Sequence, residues 1–169
     1  MSAGTYYENI IPLLAPIDKV AAAWATPWVD LKNAQACRFY LYHGLLTSAS
    51  TDTVAVTIEA ASEAGSDSEI AIKFAYRKGS AAGANAWGAR TAATSTGFNL
   101  STASDGLMWE LEVDPVDVLN ADTGGAGRYV RMVAAAPSDT VAAMLVSAWV
   151  VLEPRFKQLN MLSATGAAT

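Results

Sequence analysis

His43 and Cys37 are the only histidine and the only cysteine in the chain, and they are the side chains best suited to nucleophilic work. Alternation puts both on one face of a strand, with backbones roughly 20 Å apart at the strand rise. That is beyond the hydrogen-bond reach a nucleophile and its base require. No Gly-x-Ser-x-Gly elbow supplies a serine alternative. Glu110 and Glu112 share a face, and paired carboxylates can hydrolyse glycosides. They alternate with Trp109 and Leu111, however, as the outward polar side of a strand should, and the sequence predicts a solvated face. Asp114, Asp117 and Asp122 invite a calcium reading, but the EF-hand spacing is missing. Asp114 ahead of Pro115 is better explained as the cap of a short helical turn over 116–120. Thr123-Gly-Gly-Ala-Gly127 resembles a phosphate loop only in composition, because a strand and not a helix is expected to follow it. Asn99-Leu-Ser101 matches a glycosylation sequon without a secretory signal to give it meaning. The sequence therefore predicts a protein that is not an enzyme and takes no cofactor or metal.

The elements that must carry these residues are short and regular. In Ala36 to Gly44, Cys37, Phe39, Leu41 and His43 fall on one face and Arg38, Tyr40 and Tyr42 on the other. Thr53 to Ser62 sets Val54, Val56 and Ile58 against Thr53, Thr57 and Glu59. Glu69 to Arg77 sets Ile70, Ile72, Phe74 and Tyr76 against Glu69, Lys73 and Arg77. Leu107 to Val113 sets Leu107, Trp109, Leu111 and Val113 against the two glutamates. Period two of this kind marks half-buried strands. Gly127 to Val133 and Thr140 to Glu153 complete the set, the latter apolar on both faces, as a central or partner-covered strand would be. Turn-rich stretches separate them, Thr91 to Gly97 among them. The pattern predicts a mainly β chain: a single antiparallel β-sandwich or jelly-roll-like domain over residues 26–156.

Residues 1–25 have neither period and are punctuated by Pro12 and Pro16, although Val20 to Ala25 could form a helical turn. They are expected to be an extended arm carrying Ile10, Ile11, Leu13, Leu14 and Ile17, buried either on the arm's own domain or on a neighbour. Residues 157–169 form a small, polar tail. The 169 residues suit one domain. Hydrophobic residues make up 52% and charged residues only 16%, against about 25% in a typical domain. Abundant Ala, Ser, Thr and Gly would explain this in a monomer, whereas five Trp and six Tyr favour a protomer covered by partners. Trp24, Trp28 and Trp87 are the candidate interface anchors, with core packing as their other reading. Trp109 and Trp149 fit the core. A net charge of −5 with no basic run argues against nucleic acid. The longest apolar run, Val141 to Leu152, is too short for a membrane helix, and no signal peptide is evident, which predicts synthesis in a cytoplasm.

Several segments in order resemble a family of small virion structural proteins of tailed bacteriophages. They are Trp28-Val-Asp-Leu-Lys-Asn-Ala34, Ile72-Lys-Phe-Ala-Tyr-Arg-Lys78, Trp87-Gly-Ala89, Leu111-Glu-Val-Asp-Pro115, Arg128-Tyr-Val-Arg131 and Glu153-Pro-Arg-Phe156, and the likeness spans residues 6–163. The resemblance implies a head-decoration, or cement, protein on the phage head surface. Such a protein forms a homo-oligomer, commonly a trimer, and binds major capsid protein over subunit junctions. Two other classes stay open: a tail, neck or fibre-associated virion subunit, and a carbohydrate-binding β-sandwich whose exposed Trp and Tyr stack on sugar rings.

Overall fold

The computed structural model describes residues 9–18, 22–46, 53–65, 68–79, 86–101, 107–121, 127–136 and 144–155. In chain order the elements are β1 (Asn9–Asp18), β2 (Trp24–Ala25), β3 (Val29–Asp30), β4 (Ala34–Leu46), β5 (Thr53–Ala61), β6 (Ile70–Ile72) and β7 (Phe74–Lys78). They continue with β8 (Thr91–Ala93), β9 (Phe98–Ser101), β10 (Leu107–Val113), α1 (Pro115–Ala121), β11 (Tyr129–Ala134) and β12 (Met144–Pro154). One sheet runs β1-β12-β4-β10-β7-β8. The other runs β2-β11-β5-β6, with β3 also on β11 and β9 also on β5. The pairings are antiparallel in both sheets. The protein is a two-sheet antiparallel β-sandwich, as its alternating patterns predict.

The alternation places the core. Phe39, Leu41, Leu111 and Leu152 from the first sheet and Val54, Val56, Ile58, Leu100 and Met132 from the second are fully buried and belong to one cluster. Each such side chain contributes about 1.5–3 kcal/mol by leaving water. Aromatic contacts stitch the layers together: Phe98 on β9 stacks on Tyr76 of β7 at 4.2 Å and meets Trp109 of β10 at 4.9 Å. Cys37 lies at the centre with no exposed surface, and burial pushes its thiol pKa far above the ordinary range. Asp114 caps α1 as expected, accepting a 2.9 Å hydrogen bond from the Val116 amide through Oδ1.

Several expectations differ from the structure. The single strand expected from Glu69 to Arg77 is two strands, with β6 on one sheet and β7 on the other. The chain bends at Lys73 and crosses between layers, so Ile72 and Phe74 are both buried, on opposite sides of the corner. Of the two burials open to the extended arm, the structure has the one on its own domain: Asn9 to Asp18 is the edge strand of the first sheet, paired with β12 from Asn9↔Leu152 to Asp18↔Leu145. An edge tolerates the missing amides of Pro12 and Pro16, and register shifts on either side of Leu14 absorb the misfit. The expected helical turn of Val20 to Ala25 is, at Trp24–Ala25, a strand pairing with β11, and Lys19 to Ala21 lie outside the described residues. A division between residues 25 and 26 therefore cuts through paired structure, while residues 157–169 lie outside the described residues. Thr91 to Gly97, expected as a turn, opens with β8 before the chain reverses between Thr94 and Gly97.

Candidate binding face

The register of the first sheet aligns side chains from distant segments on its outer face. Pro12 opposes Trp149, Trp149 opposes Tyr40, Tyr40 opposes Glu110, and Glu110 opposes Arg77. Cross-strand partners share a face, so these five form one row across β1, β12, β4, β10 and β7. Tyr40 and Trp149 stack with ring centres 5.7 Å apart. Trp87 lies 6.2 Å from Tyr40, tilted, and the Arg77 guanidinium sits 4.9 Å over the Trp87 ring. Arg77 grips Glu110 with both arms of its fork: Nε donates to Oε1 at 3.0 Å and Nη2 to Oε2 at 2.8 Å. Burial, then the hydrogen-bonded Glu110 carboxylate, pushes the Tyr40 phenol above its usual pKa.

The neighbouring row is Ile10, Val151, Arg38, Glu112 and Ala75, extended by Ala92 on β8. Arg38 pairs with Glu153, Arg90 donates to Glu112 at 2.7 Å, and Lys73 meets Asp117 at 3.1 Å. Two polar grooves of about 360 and 350 Å³ cross this side of the sheet and share Ala75, Arg90 and Glu112. On the opposite sheet Arg131 joins Glu59 and Glu69 at 2.8 and 2.9 Å and covers Trp28 at 4.5 Å, and Arg128 clasps Asp30.

The sequence candidates separate on this frame. Ile10 is 63% exposed and Ile17 is also in solvent, while Ile11 and Leu14 lie half-buried against the core and Leu13 is within it. Trp24, at 5% exposure, belongs to the core cluster, and Trp28, at 4%, is buried in this chain's own fold beneath Arg131. Trp87 is 37% exposed and joins the outer row. Trp149, expected in the core, is half-buried on the outer face, because its register partner Tyr40 points outward. Tyr40 gave no sequence signal beyond facing away from Phe39 and Leu41. Glu112 is partly exposed, but Glu110 is not solvated as expected: 5% of it meets solvent, because Arg77 and Tyr40 cover it.

The chemistry searched for in the sequence stays dispersed. His43 and Cys37 are both buried on the inner face, and His43 stacks near Trp109 at 6.5 Å. Asp114 is committed to its helix and Asp117 to Lys73, and Asp122 lies outside the described residues. Among the described residues no group of three His, Cys, Asp or Glu is placed to hold a metal ion, and no helix is long and apolar enough to cross a membrane. Residues 123–126 lie outside the described residues, and the strand β11 follows them. Comparison with protein-family models, curated proteins and solved structures finds no match to this chain.

Proposed function

We propose that this chain is a structural protein of a tailed-bacteriophage virion, a head-decoration protein that self-associates and binds major capsid subunits over their junctions. The observation that carries this reading is a set of exposed aliphatic side chains at the two ends of the β1–β12 edge of the first sheet. Ile10 and Ile17 on β1 and Leu145 on β12 stand in solvent on an edge pair of a chain otherwise poor in charge. Apolar surface of this kind favours burial by another polypeptide. Three of the six segments that carry the resemblance fall on joints of the sandwich. Residues 28–34 lead into β4, 72–78 make the crossing between sheets, and 111–115 end β10 and cap α1. Segments of that kind maintain a shape, and a repeated shape-based contact gains strength from the many copies on a shell.

Light scattering and sedimentation with purified undecorated heads test this. The wild-type chain is expected to oligomerise and bind shells, and an Ile10→Glu/Ile17→Glu variant to lose both with an unchanged melting temperature. A wild-type monomer without affinity for shells, or a variant that still assembles, would overturn the proposal.

A further inference from the structure

We propose that the outer face of the six-stranded sheet is a binding groove for a neutral glycan, a function separate from particle attachment through the β1 margin. The first support is shape. The two grooves adjoin, sharing Ala75, Arg90 and Glu112 in their linings, and the volume of each falls in the range of small-ligand sites. Ala75 and Ala92 oppose one another in register and leave a low floor between taller charged neighbours.

Charge supplies the second support and fixes the ligand class. Lys73, Arg38, Arg77 and Arg90 line the grooves against Glu110, Glu112, Asp114 and Asp117. Four positive and four negative groups sum to zero. Arg77, Arg90 and Lys73 are each held by a carboxylate on this face, and Arg38 pairs with Glu153 beside it. A polyanion gains its affinity from cations that can exchange counterions for phosphate or sulfate, and these cations are already engaged. A polyhydroxylated neutral ligand has no such need. Each sugar hydroxyl both donates and accepts, and guanidinium and carboxylate groups side by side offer both donors and acceptors to it.

The third support is the aromatic stand beside the groove. Trp87 rests on Arg77, a groove-lining residue, and leans on Tyr40, yet more than a third of it remains in solvent. An indole braced by a cation and by Tyr40, with more than a third of the residue in solvent, offers an apolar plate to the C–H face of a pyranose. It loses little conformational freedom on binding, since its contacts already orient it.

Affinity electrophoresis of the full chain through gels containing dextran, laminarin or galactomannan, with heparin as the anionic control, tests the proposal alongside a neutral-glycan array. Retardation by at least one neutral polymer is expected, weakened about tenfold or more by Trp87→Ala and by Arg90→Ala. Both residues are exposed, and the melting temperature of each variant reports whether its fold is intact. No binding to any neutral glycan, binding to heparin alone, or full binding by both variants would overturn it. If Trp87→Ala abolishes attachment to phage heads while no glycan binds, the face belongs to a protein partner and the proposal fails. The Ile10→Glu/Ile17→Glu variant reads particle attachment separately, so the two proposals fail independently.

Discussion

Arg77 and Glu110 form the ion pair from which the outer face is organised, and removing one partner should cost more than removing both predicts by addition. Glu110 is 5% exposed, whereas the Arg77 side chain is about a third in solvent. Breaking a fully buried pair costs about 3–5 kcal/mol, and an exposed pair is worth about 0–1. With one partner out of water and the other partly in it, Arg77→Met is expected to destabilise by about 2 kcal/mol, roughly 4–8 °C in Tm for a chain of this size. Methionine keeps the stem of the side chain, so the loss isolates the guanidinium. Glu110→Gln is expected to cost about 1 kcal/mol, since one carbonyl acceptor survives. In the double variant the costs should fall short of their sum by about 1 kcal/mol, because no buried charge is left without its counterpart. Urea unfolding followed by tryptophan fluorescence measures all three. Strict additivity, or an Arg77→Met variant as stable as wild type, would refute the pairing as the organising contact.

Gly97 adopts φ of +78°, and a Cβ there would lie 2.0 Å from the Val56 carbonyl oxygen. Gly97→Ala is therefore expected to cost about 2 kcal/mol or more, the left-handed backbone alone contributing about 1–2. Gly65 has a similar φ with open space around it. Gly65→Asn should be tolerated where Gly97→Asn is not, and equal urea midpoints for the two asparagine variants would contradict the clash. Asp30 supplies a pH prediction. Burial opposes its ionisation, but hydrogen bonds from Arg128 and the Lys32 amide outweigh burial and hold its pKa below the ordinary value. A depressed carboxyl stabilises the fold above its unfolded pKa, near 4, and loses that contribution as pH falls through the folded value. The stability gap between wild type and Asp30→Asn should accordingly be full at neutral pH and narrow on acidification below about pH 4. A gap constant from neutral to strongly acid solution would be the contrary result.

The strands β4, β5 and β10 were legible because their alternation is uninterrupted and one face is apolar, His43 of β4 excepted. Where alternation is ambiguous, legibility ended. β12 is apolar on both sides, so nothing within it says that Trp149 faces out; only its pairing with Tyr40 decides. Ile70, Ile72, Phe74 and Tyr76 alternate straight through the corner at Lys73, and the pattern is blind to a change of sheet that keeps each side chain's sense. β1 escaped because two prolines argue against a ladder, and the strand that accommodates them lies at the far end of the chain. The outer face failed to appear for the same reason. Trp87, Tyr40, Arg77, Glu110 and Trp149 come from five segments, and only the register of the sheet makes them neighbours.

That assembly by register has a consequence for recognition. Arg38, Arg77, Arg90, Arg128 and Arg131 each hold a carboxylate, on both outer faces of the sandwich. Charges so paired cancel within a few ångströms and leave little field beyond the Debye length of physiological salt. These pairs therefore add little to long-range steering, and what distinguishes the two surfaces is local: bare aliphatic side chains along β1, and hydrogen-bonding groups beside a partly exposed indole on the sheet face. The first suits a partner that excludes water, the second one that replaces it. Because both depend on contact and not on net charge, association at either surface follows fit and number of copies far more than ionic strength.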